Sequence, residues 1–389
     1  MVARSRRNTE RRNWRDHSGQ CGGRNIGGRG FYRRLLGGLE PSGRARRGRI
    51  TLIAALCGAF AAPIGLTAPA FAAPTLSNPA ETEANFDIAL EAYNKGRYTE
   101  ALRLSETAAD IGSADAAVMA GYILRYGKAG RTDMMMARKW YERAAAKGHP
   151  DAYIALGEMG INGQAGLTKA EAVSWLTRAS DAGRTDAMRA LSELYRIGEG
   201  VKSNSSESER LLTQASQSFD VEATKRLGDS LFKRDAKAAL KHYEKAAEAG
   251  HVEAAYIAGV MYAENFDIRP DSDKSAAYLQ QAAQGGHAAA MADFGLRVYQ
   301  GYGAEKSQTD AAEWFRKSAE AGDTEGQFLY AFTLAKGEGV AQDFEGAYYW
   351  VLKSGESGVD EYDADKTALR ERLEANVDPA VLARARARR

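Results

Sequence analysis

The chain has 389 residues, 44% of them hydrophobic, with only 8 Pro but 40 Gly, so a sizeable helical core is within reach. Its net charge of +2 hides an asymmetry: residues 1–72 carry fourteen Arg, no Lys and three acids, a net +11 that leaves −9 for the rest. An acidic main body excludes a broad nucleic-acid footprint, and Cys21 and Cys57, both early, leave a chain cut after residue 72 with no thiol or disulfide chemistry.

The first 43 residues are rich in Arg and Gly and poor in apolar side chains, a composition that favours disorder. From Arg44 to Arg49 the chain is basic, residues 50–62 are an apolar run, and Ala70-Phe71-Ala72 comes next. A basic flank, an apolar stretch and a small-residue site form a secretory signal, with cleavage expected after Ala72. Left uncleaved, the same segment would be a membrane anchor, and it is the only contact with a membrane that the sequence suggests. In either case the chain beyond Ala72 is expected outside the cytoplasm, as a periplasmic or secreted protein. Residues 1–72 are therefore an n-region and signal, 73–83 a linker, 84–360 a repeat array and 361–389 a helical cap.

The array is visible as a glycine column: Gly112, Gly148, Gly183, Gly250, Gly286, Gly322 and Gly358, spaced by 35 or 36 residues except for one double step. Four residues before each boundary stand Ala108, Ala144, Ala179, Ala215, Ala246, Ala282, Ser318 and Ser354. Eleven before it, with one gap, stand Ala101, Ala137, Ala172, Ala239, Ser275, Ala311 and Ala347. Eight before it come Leu104, Trp140, Trp175, Leu211, His242, Tyr278, Trp314 and Trp350. These offsets share one helix face, read here as one bulky core side chain against two small ones. The glycine then ends the helix in a left-handed cap.

After the glycine an acid and an alanine open the next helix, as in Asp115-Ala116 or Glu253-Ala254. That helix carries Gly121, Gly157, Gly259 or Gly295 in its interior, at a cost of about 1 kcal/mol, which implies close contact with a neighbour. It ends in loops such as Gly198-Glu199-Gly200 and Gly301-Tyr302-Gly303. Residues 84–111, with Phe86, Tyr93, Gly96 and Tyr98, make the first unit. The unit at 184–219 has a polar loop at 203–207 and no boundary glycine, and a tight turn at 232–235 shortens the next, so an irregularity is expected there. Residues 362–389 read as two short helices split at Asp378-Pro379, ending in a basic run from Arg384. That end suits a polar cap; a basic tail for anionic surfaces is the alternative.

The stretches Ala137–His149, Ala239–His251 and Ala311–Gly322 closely resemble the Sel-one-like repeat, relative of the tetratricopeptide repeat, and the resemblance covers roughly 84–360. It implies an all-α fold, a right-handed α-solenoid of about eight helix-turn-helix repeats with a C-terminal helical cap. It also implies a scaffold for a protein or peptide partner, since exported bacterial members serve envelope assembly, surface attachment or control of sensor kinases. A cysteine-rich branch of such proteins is associated with weak β-lactamase or peptidoglycan-binding activity, but this chain lacks that branch's cysteine pairs. A structural role in polysaccharide or cell-wall assembly is a further alternative.

No enzyme chemistry is legible. There is no H-E-x-x-H and no G-x-S-x-G, and the loop glycines lack the lysine of a phosphate cradle. His149, His251 and His287 share one repeat position, filled elsewhere by Ser113, Arg184 and Asp323, which reads as a helix cap. Repeats stacked about 10 Å apart would hold them too far from one another to share a metal. No catalytic residue, cofactor or metal is expected. For binding, two first-helix columns vary: Val118, Ile154, Arg189, Tyr256, Ala292 and Phe328 in one, Tyr122, Glu158, Glu193, Val260, Leu296 and Phe332 in the other. Such variation suggests surface, which makes Tyr122, Tyr256, Phe328 and Phe332 the candidate partner anchors, with filler packing of unequal gaps as the alternative.

Overall fold

A computed structural model describes residues 79–264, 266, 268–355 and 363–388. The signal, its cleavage site after Ala72 and the boundary glycine Gly358 lie outside the described residues. Among those described there are 18 α-helices and no strand, and no helix is long and apolar enough to cross a membrane. The fold is an α-solenoid of helical hairpins with a helical cap.

Contacts divide the described chain into two compact units, residues 79–223 and 224–388. The first unit holds α1 (Pro79–Asn94), α2 (Tyr98–Asp110), α3 (Ala114–Arg125), α4 (Met134–Ala146) and α5 (Pro150–Ile161). It continues through α6 (Lys169–Asp181), α7 (Thr185–Ile197) and α8 (Ser205–Gln217). The division falls within α9 (Val221–Phe232). The second unit holds α10 (Ala236–Glu248), α11 (Val252–Ala263), α12 (Ser272–Gln284), α13 (Ala288–Gln300), α14 (Gln308–Glu320), α15 (Thr324–Lys336) and α16 (Phe344–Ser354). The cap is α17 (Asp363–Asn376) and α18 (Pro379–Ala387).

Local chemistry sets these boundaries. Asp133, Asn204, Asp235, Asp271, Ser307 and Asp343 each accept a backbone N–H at the start of a second helix, and Thr168 and Glu171 close a capping box. The segment read as a polar loop at 203–207 is therefore mostly helix, because Asn204 caps α8 and Ser205 opens it. At the other end Gly148 (φ +82) donates to Ala145 and His149 to Ala144, at 3.0 and 3.2 Å, a closure that needs the left-handed region.

Phe219 holds the same place without being a glycine. It sits at φ +63 with Asp220 donating to Ala215 at 3.1 Å, and its side chain is 90% exposed. A left-handed non-glycine residue costs roughly 1–2 kcal/mol, part of which a glycine would return as chain entropy. Phe219→Gly is expected to stabilise the protein by about 1 kcal/mol, read as a melting point raised by about 2–4 °C. An unchanged or lower melting point would mean that the ring is held by contacts of its own.

Core packing corrects one element of the repeat. The small columns at eleven and four before the boundary are fully buried throughout. Eight before it Leu104, Trp140 and Leu211 are buried as expected, but the column buried from one repeat to the next is the one seven before it: Tyr141, Leu176, Leu212, Tyr243, Leu279, Phe315 and Val351. Of these, Tyr141, Leu176, Tyr243, Leu279 and Phe315 lie against first-helix glycines. A methyl on Gly121 would meet the Tyr141 ring at 2.8 Å, one on Gly157 Leu176 at 2.6 Å, and one on Gly295 the Phe315 ring at 2.7 Å. The tryptophans one residue earlier flank this seam, and Trp175, Trp314 and Trp350 are only half-buried. Each of the four repeat tryptophans carries a cation from the next turn: Arg143 on Trp140, Arg178 on Trp175, Lys317 on Trp314 and Lys353 on Trp350, 4.5–5.2 Å from the ring centres.

The cap uses the basic end. Lys366 donates to the Ser354 carbonyl at 3.0 Å, closing α16. Arg384 pairs with Glu345 at 2.8 Å, and Arg386 donates to the Tyr348 hydroxyl at 2.6 Å. The arginines thus seal the last hairpin of the second unit.

Candidate interaction surface

Four tyrosines converge in the first unit. Tyr93 ends α1, Tyr98 begins α2, Tyr122 lies in the last turn of α3, and Tyr126 stands directly after α3 as its C-cap. Tyr93 stands edge-on to Tyr98 at 5.2 Å and to Tyr122 at 6.2 Å, and Tyr122 lies 4.7 Å from Tyr126. Tyr93, Tyr98 and Tyr122 are half-buried, while Tyr126 is 41% exposed. Burial, with the neighbouring Tyr122 second, pushes the Tyr93 hydroxyl up to about 12, so it stays protonated and able to donate. Rings held on several sides lose little freedom on binding, which suits them to anchor a partner.

A charged pair supports this patch from below. Arg125 donates to Glu158 at 2.7 Å, and both side chains are more than nine-tenths buried. The Arg125 guanidinium also lies over the Tyr126 ring, 5.3 Å from its centre. Arg125 thereby links α3, α5 and the exposed tyrosine.

Of the four anchors expected from sequence, only Tyr122 falls in this cluster. Phe332 is half-buried beneath the Lys336 amine, 4.4 Å from the ring centre. Tyr256 and Phe328 are buried, each 8% exposed, and are core rather than surface. The reason is visible along their column. Tyr256 stacks on the His287 ring at 4.2 Å, and Arg189 pairs with Asp220 at 3.0 Å. His287 and Asp220 both stand at the cap position of the next hairpin. At these two positions the column residue matches the next unit's cap, ring to ring for Tyr256 and charge to charge for Arg189. Sequence reading missed the joint surface of Tyr93, Tyr98 and Tyr126. The clue was their density, four tyrosines within 93–126.

The histidines are caps. The Nδ1 atoms of His149, His251 and His287 accept backbone N–H groups of Asp151, Ala254 and Ala290 at 3.2–3.3 Å. Among the described residues no group of three His, Cys, Asp or Glu side chains is placed to hold a metal ion.

The Sel1 repeat model matches seven consecutive stretches, 114–149, 150–183, 185–218, 226–251, 252–287, 288–323 and 324–359, together more than half of the chain. A solved Sel1 repeat protein from Oxalobacter formigenes is 23% identical, covering 81% of this chain and 98% of its own, with a TM-score of 0.61. A protective antigen of uropathogenic Escherichia coli displaying an SLR fold is 21% identical over 79% of this chain and 83% of its own, at a TM-score of 0.35. An uncharacterised protein of Neisseria meningitidis serogroup B is 29% identical over 192 residues, 48% of this chain. The chain spans only 40% of the length of that relative.

Proposed function

Because the chain belongs to the Sel1 repeat family, whose arrays are typically non-catalytic and mediate protein–protein interactions, we propose that it is an exported scaffold of a bacterial cell envelope. In this reading it performs no catalysis and captures a partner protein or peptide on the tyrosine surface. The carrying observation is Tyr126, 41% exposed beside three half-buried tyrosines and over a buried guanidinium. Solvent-facing aromatics on a rigid footing concentrate binding energy, typically about 2 kcal/mol or more for an anchor ring. Export is supported by the basic flank, apolar run and Ala70-Phe71-Ala72 site of residues 44–72.

The test places a photo-reactive phenylalanine analogue at position 126 in growing cells and, separately, at Met135, which is 57% exposed outside the tyrosine cluster. A discrete crosslinked adduct is expected from position 126 only, in the envelope fraction, and it should fade when Tyr98 and Tyr122 are replaced by alanine. Equal adducts from both positions would remove the tyrosine surface from the reading. A cytoplasmic adduct would remove export.

A further inference from the structure

In the second unit a cleft of about 380 Å³ opens between α12 and α14. Phe294 and Val298 of α13 line it together with Trp314 of α14, and small side chains, Ala276 and Ala277, line the α12 side. Three carboxylates surround it: Asp273 in the first turn of α12, Glu305 in the loop after α13, and Asp310 in the first turn of α14. Among the described residues none of these three has an ion-pair or hydrogen-bond partner for its carboxylate. Other acids of the same helices and the same unit are held: Glu313 and Glu320 by Arg316, and Glu345 by Arg384.

The unit contains its own example of what such a surface receives. Asp273 is the second residue of α12, and Glu345 is the second residue of α16. On α16 Glu345 is paired with Arg384 at 2.8 Å and Arg388 at 3.6 Å, and the guanidinium groups of Arg386 and Arg388 lie over Tyr348 and Tyr349. Those two rings are the fifth and sixth residues of α16. The fifth and sixth residues of α12 are Ala276 and Ala277. The acid is kept and the rings are removed, which leaves room for a long side chain. Trp314 already holds the Lys317 amine 4.5 Å from its centre, so the ring is of a kind that accepts cations here.

We propose that the α12–α14 cleft binds an arginine or lysine side chain from a basic segment of a partner protein. The aliphatic stem would lie along Val298 and Trp314, with the charged head among Asp273, Glu305 and Asp310. This site is distinct from the tyrosine surface of the first unit and does not depend on it.

The test titrates the purified full chain with a fluorescently labelled peptide copying residues 379–388, whose arginines engage α16 in the intact protein, and reads anisotropy. Saturable binding is expected. Asp273→Asn with Asp310→Asn removes two carboxylate-to-head pairs and leaves the ring contact, and should weaken binding about tenfold. Ala277→Trp, which fills the cleft without changing charge at an exposed position, should weaken it as much. Should that ring unfold the hairpin by circular dichroism, Ala277→Leu is the smaller filler with the same expected direction. Absence of saturable binding overturns the proposal. So does a folded filler variant that binds as tightly as the parent, since attraction would then come from the net negative charge of residues 73–389 rather than from the cleft.

Discussion

Gly303→Ala is expected to destabilise the second unit by about 3 kcal/mol, lowering its melting point by roughly 6–12 °C. Two costs combine there. Gly303 sits at φ +69, where an alanine pays roughly 1–2 kcal/mol. A Cβ at that position would also overlap the carbonyl of Ser272, the opening residue of α12. A backbone carbonyl cannot rotate away as a side chain does, so the loop and the start of α12 must separate. Gly200 and Gly339 make the same approach to Lys169 and Gln308, which marks this contact as the seam between one hairpin and the one before it. Gly286→Ala is the matched comparison: its φ is +91, with nothing within 4 Å of a Cβ. It should cost only the backbone part, about 1 kcal/mol. Thermal unfolding of the two variants separates the terms, and equal losses would show that the close approach contributes nothing. Hydrogen exchange at the first turn of α12 should rise in Gly303→Ala alone.

The glycine spacing made the hairpins legible because each boundary glycine among the described residues, Gly112 to Gly322, answers a local geometric demand that no other residue meets cheaply. The caps were legible for the same reason: Ser113, His149 and Asp323 differ chemically, yet each offers an acceptor one residue before a helix. In the repeats of Trp175, Trp314 and Trp350 the main core side chain stands one residue later than expected, for a geometric reason. At 3.6 residues per turn, offsets of −8 and −7 lie at roughly equal angles, about 50°, on either side of the line through −11 and −4. Periodicity cannot choose between them. The first-helix glycines do, because Gly121 and Gly295 have room only for the side chain at −7.

The candidate site was less legible, since it depends on what neighbours do. Tyr256 and Arg189 occupy one column with no chemistry in common, and variation of that kind reads as surface until the next unit's cap is in view. His287 and Asp220 supply the missing half of each pair. The tyrosine cluster draws on α1, α2, α3 and the turn after α3, with no single periodicity connecting Tyr98 to Tyr126. Such a surface is assembled by the stacking of hairpins rather than encoded along any one helix.

Arg125→Met is expected to destabilise the first unit by about 4 kcal/mol, because it leaves the Glu158 carboxylate buried without its cation. Glu158→Leu alone should cost a similar amount by stranding the guanidinium. The double variant, Arg125→Met with Glu158→Leu, should unfold within about 1 kcal/mol of the parent, since two apolar side chains of similar volume need no partner in that setting. Denaturant unfolding of the four proteins gives the coupling directly, and additive losses would show that the pair acts through packing alone. The same double variant separates stability from capture. Its hairpins would remain folded, but Tyr126 would lose the guanidinium beneath its ring, 5.3 Å from its centre. If the tyrosine surface is the partner contact, crosslinking through position 126 should fall in the double variant although its melting point is restored. A footing kept only for stability would leave that crosslink unchanged.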